Sequence, residues 1–168
     1  MLLAGMTSKS KNLVATNSLK LFRLLGRTAA GRWTFTRIIC AKAPYFASIK
    51  PLIEELAPGR CVVTLRDRRR VHNHIGTVHA IAMCNAAELA GGLATDVTIA
   101  PGQRWIPKGM SVRYLKKARG TLTATARVEV PPVDAPAQEA HALVEVHDAA
   151  NEVVFDADIT MWISPRRE

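Results

Sequence analysis

Residues 71–92 read VHNHIGTVHAIAMCNAAELAGG. Between Thr77 and Ala90 nearly every residue is small or apolar: Ala80, Ala82, Ala86 and Ala87 stand among Val78, Ile81 and Met83. This composition predicts a helix that a sheet can approach closely on several sides, with Gly91-Gly92 as its stop. Polar side chains in such a helix need partners or a purpose, because burying them unpaired is costly. Asn73, His74, His79 and Glu88 are therefore the residues to explain. At 100° per residue, the step from His79 to Glu88 turns about 900° and rises about 13 Å, which sets the two on opposite faces. One chain cannot bring them into one site; two paired chains can.

The flanking sequence supplies the sheet. RCVVTLRDRRRV, beginning at Arg60, alternates Cys61, Val63 and Leu65 against Val62, Thr64 and Arg66 and reads as a strand. Beyond the helix, Pro101-Gly102 and Lys108-Gly109 punctuate extended pieces. After Gly120, TLTATARVEV repeats Thr and Val at period two. PPVDAPAQ is a loop, and two further strands flank the turn Asp148-Ala149-Ala150-Asn151. Upstream, YFASIKPLIEELAPG reads as a short helix closed by Pro58-Gly59. Asn12 to about Ala30 carries Leu13, Leu19, Phe22, Leu24 and Leu25 at helical spacing, with Gly31 as a stop. One apolar helix followed by about four antiparallel strands is buried only if the sheet wraps it, so the expected class is α+β.

The chain has 168 residues, 48% hydrophobic and 22% charged, an ordinary globular composition for one domain. Cys40, Cys61 and Cys84 are odd in number and widely spaced, which argues against a secreted disulfide framework and a structural zinc site and makes a reducing, cytoplasm-like setting the default reading. No apolar run approaches the ~20 residues of a membrane span. The net charge of +9 is local: residues 1–53 hold nine basic side chains and no acid, and the remainder is neutral. A nucleic-acid-binding surface is thereby disfavoured, whereas residues 12–31 suit weak contact with an anionic membrane surface. An acid-free, Arg- and Ser/Thr-bearing start also has the composition of a transit peptide, but no cleavage signal follows it, and a helix packed on the domain is the preferred reading. Residues 1–11 read as a frayed tail with Met6 as an alternative start. The division is a basic helical extension, 1–43, and a main domain, 44–168.

Asn73, a histidine six residues on and an acid nine residues further resemble the signature of hotdog-fold thioesterases. The wider pattern APYFASIKPLIEELAPGRCVV, RRRVHNHIGTVHAIAMCNAAELAGG and YLKKARGTLTATA is similar to the hotdog family designated domain of unknown function 4442, in the PaaI-like thioesterase superfamily. The resemblance covers about Pro44 to the C-terminus. It implies an antiparallel sheet wrapped around one long central helix, hydrolysis of acyl-coenzyme A thioesters, and a homodimer or tetramer with sites across the dimer interface. It also implies no metal, and no cofactor beyond the coenzyme A of the substrate. Carried over by residue, Asn73 orients the water or thioester, the Ala80 N–H beside His79 receives the oxyanion, and Glu88 of the partner is the base or nucleophile. Relatives with established hydrolase chemistry usually carry Gly and Asp where this chain has Ala80 and Glu88. Lys116, Lys117 and Arg119 are the candidates for the nucleotide phosphates.

Other readings fit parts of the same sequence. Acyl-thioester dehydratases place a histidine fourteen residues before a glutamate, and His74 precedes Glu88 by fourteen, but Ile75-Gly76-Thr77 stands where they have Phe-Pro-Gly. A non-catalytic acyl-lipid binder held to membrane by its basic N-terminus is the alternative outside enzymes. His72-Asn73-His74 spells the name of a nuclease motif without its ligand constellation, and no carboxylate or thiolate completes a metal site with His72, His74 and His79. His72 reads as a strand residue. Arg66, Arg68, Arg69 and Arg70 read as a solvated strand end able to receive phosphates. Trp33, Trp105 and Trp162 read as core or interface residues and Cys84 as packing.

Overall fold

The computed structural model describes residues 16–166. The tail 1–11 and Leu13 lie outside the described residues. Thr16 caps helix α1 (Asn17–Leu25) by accepting the Leu19 N–H at 3.3 Å. Thr28 caps α2 (Ala29–Lys42) by accepting from Gly31 at 3.0 Å. The single helix expected up to Ala30 is thus two, and Gly31 opens the second instead of closing the first. The second threonine cap is the signal that prevails. Phe35 of α2 is fully buried and meets Phe22 of α1 edge-to-face at 5.1 Å.

A short 3-10 helix, Pro44–Ile49, ends at Lys50 in the left-handed region before Pro51. The expected helix through Pro58-Gly59 does not form. Its second half is strand β1 (Leu52–Ala57), joined across Pro58-Gly59 to β2 (Arg60–Leu65). Six residues after a proline are too few to sustain a helix alone, and ladder pairing with β2 decides their conformation. A bulge between Ile53 and Glu55 turns Glu54 toward α2, where it pairs with Arg32 at 2.9 Å. The Thr36 hydroxyl of α2 accepts the Ile53 N–H at 3.0 Å. These bonds tie α2 to the outer strand.

The remaining elements are α3 (Ala80–Thr98), β3 (Gln103–Tyr114), β4 (Leu122–Val128), β5 (Gln138–His147) and β6 (Val153–Pro165). All six strands pair antiparallel in the order β1-β2-β4-β5-β6-β3. The sheet wraps α3, and the core lies between them: alternate residues such as Val63, Ala124, Val144 and Ile159 face Ala86, Ala87, Ala90 and Ala94. The α+β expectation and the wrapped helix are both observed. The Asp148–Asn151 turn also forms, with Asp148 Oδ1 accepting the Ala150 and Glu152 N–H groups at 2.9 and 3.0 Å.

The expected stop at Gly91-Gly92 is overturned, since α3 continues to Thr98 and both glycines are buried within it. A Cβ on Gly91 would lie 2.9 Å from Ile159 Cδ1 and 3.3 Å from Ala142 Cβ; one on Gly92 would lie 2.9 Å from Trp105. These glycines mark close approach of the sheet, which outweighs the ~1 kcal/mol each costs a helix. Of the tryptophans, Trp105 is half-buried on Gly92, and Trp162 is half-buried with Lys108 Nζ 4.8 Å from its ring. Trp33 is 61% exposed and is no part of the core.

The packing leaves little room for a side chain at Gly91. Gly91→Leu should overpack the contact with β5 and β6 and lower stability by about 1–3 kcal/mol, read from the urea midpoint. An unchanged midpoint would show that the helix has room to shift.

Candidate active site

The segment from Arg66 to His79 leads from β2 to the N-terminus of α3, and hydrogen bonds within it define its shape. Asn73 Oδ1 accepts the Ile75 and Thr77 N–H groups, each at 3.1 Å, and Asn73 Nδ2 donates to Thr77 Oγ1 at 2.8 Å. The Asn73 N–H donates to the Thr77 carbonyl at 2.9 Å, and Gly76, at φ +70°, closes the turn on the Asn73 carbonyl at 3.2 Å. Asn73 is therefore the organiser of this loop. One Nδ2 hydrogen is left over for anything outside it.

His79 is the N-cap of α3, and its Nδ1 accepts the Ile81 N–H at 3.1 Å. That bond requires Nδ1 unprotonated, which places the proton of neutral His79 on Nε2. The His79 carbonyl takes the Ala82 and Met83 N–H groups at 2.9 and 3.3 Å, and its own N–H goes to the Val71 carbonyl at 2.8 Å. A helix begins with four orphan N–H groups. Here three are satisfied, and only that of Ala80 has no partner among the described residues. It stands half-buried at the positive end of a nineteen-residue helix.

Glu88 lies two turns along α3, eight residues and about 12 Å beyond Ala80. It is exposed, on the same stripe as exposed Ile81 and half-buried Cys84. Within one chain the loop and Glu88 are not brought together. Beside Glu88 opens a cavity of about 350 Å3, walled mainly by Ile39, Phe46, Leu89, Leu93 and Trp105. A larger groove of about 660 Å3, over Arg60, Arg127 and His141 on the far side of the sheet, contains none of the expected site residues.

The three candidate phosphate ligands separate. Lys116 pairs with Glu152 at 2.9 Å, and Arg119 Nη1 donates to the Gly76 carbonyl at 3.4 Å, over the Asn73 loop. Lys117 is exposed and makes no ion pair among the described residues. His74 is exposed at the loop tip. His72 forms only an isolated bridge with Val78 and not a strand. Cys84 Sγ lies 3.3 Å from the Tyr114 hydroxyl of β3; that bond, with partial burial, pushes the phenol up to about 12. Burial raises the thiols of Cys40 and Cys61, which leaves neither a ready nucleophile. No group of three or more metal-ligating side chains occurs among the described residues.

One residue went unread in the sequence. Asp67 is the lone acid in RDRRR, and an acid inside an arginine run is the signal that could have found it. Its Oδ1 accepts from His72 Nε2, and its Oδ2 accepts the Gly120 N–H at 2.6 Å. The Val78 N–H donates to the Ala118 carbonyl at 2.9 Å. Together these bonds fasten the Asn73 loop to the turn before β4. The His72 bond does most to hold the Asp67 carboxyl below its usual range; partial burial opposes it and the Gly120 N–H assists it.

Six antiparallel strands around one helix, with a capped loop at that helix's N-terminus, define the hotdog fold of thioesterases. The chain belongs to the family described as a domain of unknown function, DUF4442, whose model matches residues 31–163. A structural-genomics protein, APC5556, is 43% identical to it at a TM-score of 0.77, over 89% of this chain and 98% of that one. A Pseudomonas aeruginosa protein of unknown function, described as a probable thioesterase, is 21% identical at 0.70, over 77% and 93% of the two chains. A Haemophilus influenzae thioesterase is 15% identical at 0.69, over 86% and 97%. No curated protein matches the chain. The second and third likenesses establish the fold, and their activities remain properties of those proteins. Among the described residues no helix is long and apolar enough to cross a membrane.

The Asp67 clasp has a defined pH dependence. A depressed folded-state pKa adds stability that is present above the unfolded value of about 3.9 and is lost as pH falls through the folded value. Asp67→Asn should cost about 1–2 kcal/mol at neutral pH, and the difference from wild type should narrow below about pH 3.9. Urea unfolding across that range tests this, and a difference that does not change with pH would remove the clasp.

Proposed function

We propose that the protein is an acyl-coenzyme A thioester hydrolase acting as a homodimer, each site joining the Asn73–Ala80 segment of one chain to Glu88 of its partner. The reading rests above all on the free Ala80 N–H. It is a fixed donor at a helix N-terminus, placed where an oxyanion can be received without competing for the helix's own bonds. Asn73 supports it indirectly by closing the loop, with one Nδ2 hydrogen left to meet water or the thioester.

Dimer formation is supported by the surface around these residues. Strand β3 is twelve residues long and, among the described residues, is paired only by β6, so its other edge carries backbone groups that no described strand pairs. It presents Ile106, Met110 and Tyr114, and Leu115 and Ile81 lie exposed beside it. An apolar strip along a long free edge suits a second copy of the same chain. Antiparallel apposition of two α3 helices would carry each Glu88 toward the other's N-terminus.

In the proposed reaction, partner Glu88 takes a proton from water as its oxygen bonds to the thioester carbonyl carbon. The carbonyl oxygen gains charge against the Ala80 N–H. Collapse breaks the C–S bond, and the proton passes to the departing thiolate. The apolar cavity beside Glu88 suits an acyl chain, and Arg119 and Lys117 remain available for phosphates near the loop.

Ala80 offers a clean test because it occupies the first helical position, where proline is tolerated and removes only an N–H that is unpaired. His79, at φ −66° and ψ 138°, already has the extended backbone that precedes proline. With a panel of acyl-coenzyme A esters and a thiol-release readout, wild type should hydrolyse at least one ester. Ala80→Pro should lower kcat about a hundred- to a thousandfold with the fold intact. No thiol release from any ester would defeat the hydrolase reading, and a full rate in Ala80→Pro would remove the oxyanion role.

A further inference from the structure

We propose that the groove between α2 and the β1–β2 hairpin is a binding site for a phosphate group, independent of the acyl-thioester site. It lies on the β1 side of the sheet, at the opposite end of the strand order from β3. Arg37, Lys50, Arg66 and Arg68 line it, with Thr64 in its wall and Trp33 beside it, and none of its lining residues is acidic. None of the four cations makes an ion pair with a carboxylate among the described residues. Glu54, in the adjoining strand β1, is paired with Arg32.

Two of the arginines are held in place yet left short of acceptors. Arg68 donates from Nη2 to the Ile49 carbonyl, and Arg37 donates from Nη2 to Cys40 Sγ at 3.6 Å, a weak acceptor. The Nε atoms of both are buried and have no hydrogen-bond partner among the described residues. Several like charges around one groove repel one another. An anion with several acceptor oxygens, placed among these lining cations, relieves that repulsion. Planar guanidinium forks match phosphate geometry, and Lys50, held in a left-handed conformation at the rim, adds a point charge.

The groove's size limits the ligand. Its volume is about 240 Å3, below the range of about 300–1,000 Å3 for sites that enclose a whole small molecule. The phosphate enters and the rest of the molecule stays outside. Trp33 stands four residues before Arg37, on the same face of α2, as an exposed rim to pack against whatever carries the phosphate. Two sources share this chemistry: a soluble phosphate ester and the headgroup of an anionic lipid.

Titrating the full-length protein with inorganic pyrophosphate at low salt, and following tryptophan fluorescence and heat, tests the site. Saturable binding is expected. Trp33→Phe should remove the fluorescence change but not the heat. Arg66→Gln, at an exposed residue with no structural bond of its own, should weaken binding at least about tenfold, as should Arg37→Gln. Cosedimentation with phosphatidylglycerol vesicles, against phosphatidylcholine controls, separates the sources. Sedimentation that depends on Arg66 assigns the phosphate to a lipid headgroup, and pyrophosphate binding without it assigns a soluble ester. If neither probe binds, or if binding is indifferent to Arg66 and Arg37, the site does not exist. None of these readouts involves thioester hydrolysis, so failure here and failure of the hydrolase reading are distinguishable.

Discussion

The distance at which the sheet closes on α3 governs everything else in this molecule. A helix of nineteen residues can be enclosed by six strands only if its inward surface is nearly smooth. Alanines at 82, 86, 87, 90 and 94 and glycines at 91 and 92 provide that surface. Larger side chains from the strands, such as Ile159, Met161 and Leu122, then fill the space that the helix leaves. Small residues on one layer and larger ones on the other give dense packing without strain. Because the helix is gripped on most of its circumference, its exposed residues are Ile81 and Glu88, with Cys84 half-buried between them.

That enclosure also settles how the N-terminus of α3 can be used. The chain arrives through a tight loop closed by Asn73, clasped by Asp67 and His72, and capped by His79. Each of these bonds removes a donor or fixes an angle, until one N–H of the first turn remains unsatisfied. A preorganised donor is valuable in catalysis because it needs no reorganisation when charge develops. The second polar group of the proposed site, Glu88, is held about 12 Å away by the rigidity of the same helix. In the proposed site, the constraint that builds the donor is therefore also the reason the base is assigned to a second chain.

Much of this was legible in the sequence, and the misreadings share a cause. The apolar, small-residue character of α3 and the period-two strands after it report burial directly, so the wrapped-helix class could be read. Gly91-Gly92 was misread because a glycine that ends a helix and a glycine that admits a neighbouring strand look alike locally. Only Ile159, Ala142 and Trp105, distant in sequence, distinguish them. PLIEEL likewise has no decisive local preference, and its pairing with β2 is a long-range fact. Asn73 and His79 stood out as polar residues needing a purpose, but their bonds give them structural duties first, as loop organiser and cap. Asp67 was hidden by its arginine neighbours, although its two hydrogen bonds hold the loop in place.

The central claim is that the donor and the base of one site come from different chains. Two differently tagged versions, one carrying Ala80→Pro and the other Glu88→Gln, can be coexpressed and the mixed dimers isolated by two affinity steps. In such a dimer one site carries both lesions and the other carries neither, if the residues act across the interface. Purified mixed dimers should then show about half the wild-type acyl-thioester hydrolysis, while each parental homodimer is nearly inactive. Mixed dimers as inactive as the homodimers would mean that Ala80 and Glu88 act within one chain, and would contradict the account.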